Sequence, residues 1–238
     1  MQGYDVFAPF YDGVQGDRAE HASYLRGLIA KHHPEARQIL ELACGTGSVL
    51  KQLQDDYQVT GVDRSKAMLA IAAAKAPQAR LAAADMTEVR LDETFDVVLC
   101  VYDSINHLLS FEQWESVFDR AREHLGERGI FIFDINTEQR LSWLAQQPPV
   151  TSWFEDGNLL LLDVRDDAGA GVIWDIKIFE HVSGDDYRLH AEEIREVSFA
   201  VEQIGAALRD RFRRVSVYDQ QRARPSARSG RLHFVCTT

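Results

Sequence analysis

Four short stretches of this chain are apolar without alternation: Gln38–Leu42, Val59–Val62, Phe95–Val101 and Ile130–Ile135. Runs of that kind suit strands covered on both faces, as in a parallel sheet flanked by helices. Segments of helical periodicity lie between them. Lys66–Lys75 (KAMLAIAAAK) is alanine-rich, follows Ser65 as a cap and stops before Pro77. Phe111–Leu125 brings Phe111, Trp114, Phe118, Ala121 and Leu125 onto one helical face, with charges between. Strand and helix alternate, so the expected fold class is α/β with a doubly wound sheet.

The pattern changes after Pro148-Pro149. Leu159–Val164, Val172–Val182 and Tyr187–Phe199 read as three extended strands, and the second alternates clearly. The turn-forming DDAGAG and SGDD between them predict hairpins. Helix and strand then resume with Val201–Phe212, Arg214–Tyr218 and Leu232–Cys236. The expected organisation is one domain over 1–238 with an antiparallel sheet inserted at 153–199.

Composition narrows the picture. The 238 residues are 45% hydrophobic and 26% charged, as in ordinary globular proteins. No apolar run approaches the ~20 residues of a membrane span, so no membrane partner is expected. MQGYDVFAPFYDG lacks the basic and apolar regions of a secretory signal. Three cysteines without CxxC spacing suggest neither a disulfide framework nor a zinc site, so a reducing cytoplasm is the expected location. A net charge of −11 argues against nucleic acid as a partner. The arginine-rich stretch from Arg209 to Arg231 reads either as a solvated helix end and loop or as a dock for an anionic partner.

The candidate chemistry begins at ILELACGTGSVL, residues 39–50. Gly45 and Gly47 allow backbone N–H groups to approach a ligand at a helix start. The next strand ends in GVD, and Asp63, about twenty residues on, suits ribose hydroxyls. NAD and S-adenosylmethionine both fit that much. A dinucleotide fingerprint needs a small third residue where Leu50 stands. Glu41, just before the turn, would repel pyrophosphate but pair with a cationic group. Charge thus favours S-adenosylmethionine.

ELACGTG followed by GVDRSKAML resembles the first two motifs of the class I S-adenosylmethionine-dependent methyltransferases. AADM, FDVVLCVYDSINHL and GIFIFDIN resemble the later ones in order. YDVFAPFYD is similar to the lid of a small-molecule subgroup that includes amino-sugar N,N-dimethyltransferases and glycine N-methyltransferase-like enzymes. The resemblance implies a seven-stranded Rossmann-like sheet, with residues 1–33 as lid helices and the insertion covering the substrate site. It implies cofactor contacts at Tyr4, Tyr11, Arg18, Glu41, Ala43, Gly45, Gly47, Asp63, Arg64, Met68, Asp85, Met86 and Val101. Nucleic-acid amino methyltransferases resemble one another in an Asn/Asp-Pro-Pro-aromatic segment, where Tyr102-Asp103-Ser104-Ile105 stands here.

Methyl transfer is an in-line displacement that needs alignment, exclusion of water and, for a protonated nucleophile, a base. No metal is required, and no ligand cluster stands out. The loop after the fourth strand offers Tyr102 and His107 as catalytic candidates, with His107 a base near neutral pH; Asp103 and Ser104 read equally as caps. Trp174, Phe179 and His181 could wall the substrate pocket or form the insertion's own apolar face. The expected function is methyl transfer to nitrogen or oxygen of a small molecule, with a homodimer left open. The alternatives are an RNA or protein methyltransferase docking through the arginine segment, and a cofactor-binding module without catalysis.

Overall fold

The structure is a computed structural model describing residues 4–16, 19–219 and 224–238. Arg18 and Arg222 therefore lie outside the described residues. Helices α1 (Tyr11–Gln15) and α2 (Ala19–His32) precede strand β1 (Gln38–Leu42). Next come α3 (Ser48–Leu53), β2 (Gln58–Asp63), α4 (Lys66–Lys75), β3 (Arg80–Ala83), β4 (Phe95–Cys100), α5 (Phe111–Glu123) and β5 (Leu125–Asn136). Helix α6 (Glu138–Leu144) leads into β6 (Val150–Phe154), β7 (Asn158–Asp166), β8 (Val172–Ser183) and β9 (Asp186–Glu196). Then follow α7 (Val201–Arg209), β10 (Arg214–Asp219) and β11 (Arg231–Thr237).

Seven strands form one sheet in the order β10-β11-β5-β4-β1-β2-β3. Strands β1 to β5 are parallel, whereas β11 runs antiparallel to β5 and β10. Neighbouring positions on each central strand feed opposite faces. Leu40, Leu42, Val98, Phe131 and Phe133 pack with Trp114 and Phe118 of α5. Ile39, Val97, Leu99, Ile130 and Ile132 pack with Leu25 and Ile29 of α2 and with Leu50 and Leu53 of α3. Both faces are covered, which is why these strands carry continuous apolar runs. Ser65 caps α4 by accepting from the Met68 amide at 3.1 Å. Ser110 and Gln113 form a capping box on α5.

The antiparallel sheet has four strands, in the order β6-β7-β8-β9, rather than the three read from sequence. Strand β6 follows directly on Pro149, and its residues are mostly exposed. An edge strand of that kind carries no buried apolar run to reveal it. One face packs on the N-terminal segment, joining Leu160, Ile176, Ile178 and Ile194 to Phe7 and Phe10. Trp174 belongs to that face. Phe179 pairs with Leu159 and lies on the opposite one, as does His181. Grouping these three on one wall is thus corrected: Trp174 and Phe179 are an odd number of positions apart, and strand side chains alternate. Among the described residues no helix is long and apolar enough to cross a membrane.

Candidate active site

The carboxyl ends of the parallel strands converge where β1 is flanked by β2 on one side and β4 on the other. Crevices at such a reversal of strand order are where open α/β sheets bind ligands. The turn after β1 has Ala43, Gly45 and Gly47 at φ 54°, 54° and 74°. Only glycine adopts such angles freely. At Gly47 a Cβ would also sit 2.9 Å from Ala72 Cβ of α4. The close helix–strand packing that a small residue at position 50 would allow is achieved from the other side. Leu50 and Cys44 fill the space where Gly61 of β2 lacks a side chain, 2.5 Å and 2.8 Å from its absent Cβ.

Asp63 ends β2 and braces this turn, its Oδ2 accepting from the Gly45 amide at 2.9 Å and its Oδ1 from the Ser65 amide at 2.8 Å. Burial raises its carboxyl above the usual range, and those two amides oppose the rise. Each carboxylate oxygen keeps a further acceptor site. Glu41 is 3% exposed, and among the described residues its Oε2 has no hydrogen-bond partner. Burial first, then the charge of Asp63, push its carboxyl well above the ordinary value. Asp85, after β3, caps its own turn through Thr87, whose amide and hydroxyl both donate to Oδ1.

The N-terminal segment crosses this edge and is held by polar contacts along its length. Asp12 accepts from Thr46 Oγ1 at 2.7 Å and pairs with Lys75. Burial would raise the Asp12 carboxyl, but Lys75 and Thr46 hold it below the usual range. Ser65 Oγ donates to Asp5 at 2.6 Å, and the Phe7 amide donates to Glu192 at 3.1 Å. Tyr4 O–H meets His107 Nε2 at 2.8 Å.

The other pole is the loop after β4, where Tyr102 and Asp103 both take positive φ, 59° and 53°. Two adjacent non-glycine residues in this region carry strain that surrounding contacts must hold. Asp103 is fixed by Arg231 and by Asn136 Nδ2 at 3.0 Å. Arg231 also pairs with buried Asp134. His107 Nδ1 lies 3.2 Å from the Arg195 carbonyl, which only accepts, so Nδ1 carries the hydrogen. Nε2 then accepts from Tyr4. Burial lowers the His107 pKa, with Asp103 opposing, so the ring is neutral near pH 7.

Two cavities meet here. The first lies over the β1–β4 switch and has about 810 Å³ of empty space, its open mouth included. Tyr4, Tyr11, Ala43, Gly45, Asp63, Arg64, Met68, Asp85, Met86, Tyr102 and His107 line it together. A side chamber continues it past Tyr11 and Ala43 to Glu41 and Val101. Gly47 lines neither, being packed against α4 instead. The second cavity lies under the antiparallel sheet, between Trp174, Leu160 and Leu162 above and Asp103, Asn136 and Arg231 below. Tyr4, Tyr11, Tyr102 and Ile194 wall both.

The second cavity's polar floor is absent from the sequence reading. Asn136, Glu196 and Arg231 come from three strands far apart in sequence, and Arg231 is hidden within a run of arginines. That run is not one cationic face, because Arg211 pairs with Asp119 and Glu115 while Arg231 is held among buried acids. The first cavity and its side chamber suit the cofactor expected: the buried Glu41 oxygen fits an ammonium, and among the described lining residues Glu41, Asp63 and Asp85 are set against one arginine, Arg64.

A model of the methyltransferase domain matches residues 39–129. A provisionally named methyltransferase of Geobacillus sp. (strain WCH70) is 30% identical over 210 residues, 84% of each chain. The Streptomyces fradiae dTDP-3-amino-3,6-dideoxy-alpha-D-glucopyranose N,N-dimethyltransferase is 33% identical over 131 residues, 55% of this chain and 51% of that one. A Clostridium acetobutylicum S-adenosylmethionine-dependent methyltransferase structure has the same fold, with TM-score 0.84, 24% identity and 98% of each chain covered. The chain belongs to the S-adenosylmethionine-dependent methyltransferases. S-adenosylmethionine is its cofactor.

Proposed function

We propose that this enzyme methylates the nitrogen of a small amine of the amino-sugar kind. The observation that carries the reading is the second cavity, which adjoins the first across Tyr4, Tyr11 and Tyr102 and has the carboxyls of Asp103 and Glu196 in its floor, beside Asn136 and Arg231. The name of the Streptomyces fradiae relative supports it. The cofactor supplies a methyl group activated by sulfonium. Around it, Glu41 would take the ammonium, Asp63 the ribose hydroxyls and Asp85 the adenine amino group. Tyr4 and Tyr11, which line the cavity, would close the site against water and offer aromatic faces to the sulfonium. Neutral His107, bridged to Tyr4, is the base that receives a proton from the nitrogen, and Tyr102 orients that nitrogen.

Transfer of labelled methyl to a panel of amino sugars and their hydroxyl analogues tests this. Turnover on amines supports it; turnover on hydroxyls alone overturns it. The three cysteines, all free and buried, support a reducing cytoplasm. The assembly would be a homodimer, because Trp153, Leu159, Phe179 and Leu189 form one apolar row across the outward face of four strands. Trp153 and Leu189 in it are 65% and 54% exposed. A monomer in sedimentation at micromolar concentration would refute that.

A further inference from the structure

The second cavity holds a charge cluster that the roles above leave unused. Glu196, at the end of β9, is 3% exposed. The charge of Asp103 acts on its carboxyl, and Asn136 Nδ2 donates to both residues, reaching Glu196 Oε2 at 3.0 Å. Arg231 ties the group together, donating to Asp103, Asp134 and Asn136. The charged and titratable groups acting on Glu196 are Asp103 from the loop after β4, Arg231 from β11 and Tyr4 from the N-terminal segment. Behind them, His107 acts on Asp103 and Asp134 of β5 pairs with Arg231. Arg140 of α6 also lines the cavity, exposed at its rim.

The charges in this cluster do not cancel. Burial, then the charge of Asp103, raise the Glu196 carboxyl well above its usual range, so it keeps its proton to higher pH than an ordinary carboxyl does. Burial works the same way on Asp103, but Arg231 outweighs it and holds that carboxyl low. Within the buried cluster one guanidinium, Arg231, faces the carboxyls of Asp103 and Asp134 with the Glu196 carboxyl beside them, while Arg140, the other arginine lining the cavity, is exposed to solvent at its rim. The roof above is Leu160, Leu162, Trp174 and Ile176. A surplus negative charge under an apolar roof is costly unless a cation joins it.

Resting on the amine reading above, we propose that Glu196 and Asp103 are the acceptor-recognition pair. The cavity takes an amine as its cation, with an apolar body against Trp174, and Glu196 releases its proton to solvent as the ammonium arrives. Neutral acceptors leave Glu196 protonated and bind more weakly. Glu196 is therefore a specificity-determining residue that tells an amine from a hydroxyl of similar shape.

Titration calorimetry tests this at pH 7 on the full chain saturated with S-adenosylhomocysteine, in buffers of different ionisation enthalpy. The probes are benzylamine and glucosamine, each beside its N-acetyl form. We expect at least one amine to bind tenfold or more tightly than its N-acetyl form, releasing close to one proton. Glu196→Gln keeps the shape and the Asn136 contact. It should weaken that amine at least tenfold and abolish the proton release, leaving S-adenosylhomocysteine affinity within twofold. Should the variant not fold, the proton count of the unaltered protein still decides. Amines that bind no better than their N-acetyl forms, or bind without proton release, would overturn the proposal. Methyl transfer to amines with no effect of Glu196→Gln would sink this inference and spare the proposed function. Cation binding with proton release, but turnover only on hydroxyls, would do the reverse.

Discussion

Replacing Glu41 by glutamine separates what the residue does for the cofactor from what it costs the fold. Its carboxyl is 3% exposed, with one oxygen unpartnered among the described residues and its pKa raised by burial. The ligand-free protein therefore prefers it protonated, whereas a bound ammonium needs it ionised. A hydrogen bond between charged groups is worth about 1.5–3 kcal/mol, roughly twice a neutral one. Glutamine keeps the neutral share, so the expected loss is about 1–2 kcal/mol, or roughly 5- to 30-fold in Kd. Stability should move the other way. Above the ordinary value of 4.5 the unfolded chain has lost this proton while the folded chain still holds it. Stability thus falls with rising pH, by at most about 1.4 kcal/mol per pH unit for this group. Glutamine removes that loss. Calorimetry with S-adenosylhomocysteine measures the first effect, and melting temperature from pH 4 to pH 8 without cofactor measures the second. A Kd within twofold of the unaltered protein, or a variant whose melting temperature falls with pH just as steeply, would refute the reasoning.

Asp63→Ala should weaken cofactor binding by about 1–3 kcal/mol, since it removes an acceptor and loosens the Gly45 turn; an unchanged Kd would dismiss the ribose assignment. His107→Ala should lower turnover while leaving S-adenosylhomocysteine affinity nearly unaltered. Because the lowered pKa of His107 keeps the ring neutral near pH 7, turnover in the unaltered enzyme should hold on the alkaline side of that pKa and decline only as pH drops through it. A flat acidic limb would remove His107 as base. Gly61→Ala would thrust a methyl group to 2.5 Å from Leu50 Cδ1 and 2.8 Å from Cys44 Sγ. The expected cost is about 1–3 kcal/mol in denaturant unfolding, and no loss would mean that Leu50 repacks freely.

The first cavity and its side chamber are legible in the sequence because they are assembled locally. Glu41 lies on β1 just before the turn that carries Gly45, and Asp63 and Asp85 follow at or just past the ends of the next strands. The second cavity is not, because its groups meet only when strands distant in sequence come together. Asn136 reaches Arg231 because β5 pairs with β11, and Glu196 reaches Asp103 only once β9 has folded back across the strand ends. Strand β8 shows its alternation in the sequence, and that alternation sets Trp174 and Phe179 on opposite faces. Leu50 breaks the dinucleotide fingerprint in the sequence, but only the structure shows that Gly61 makes room for its side chain.

The shared tyrosine wall limits how this enzyme can be redesigned. Tyr4 and Tyr11 touch both cavities, and their segment is fastened to α4, to the glycine turn and to β9. Changes there would disturb the affinity for both ligands together, and a screen for new acceptors would mostly return enzymes that hold the cofactor badly. Leu160, Leu162 and Trp174 line the second cavity but not the first. A library confined to those three positions would vary acceptor choice while leaving the cofactor site as it stands.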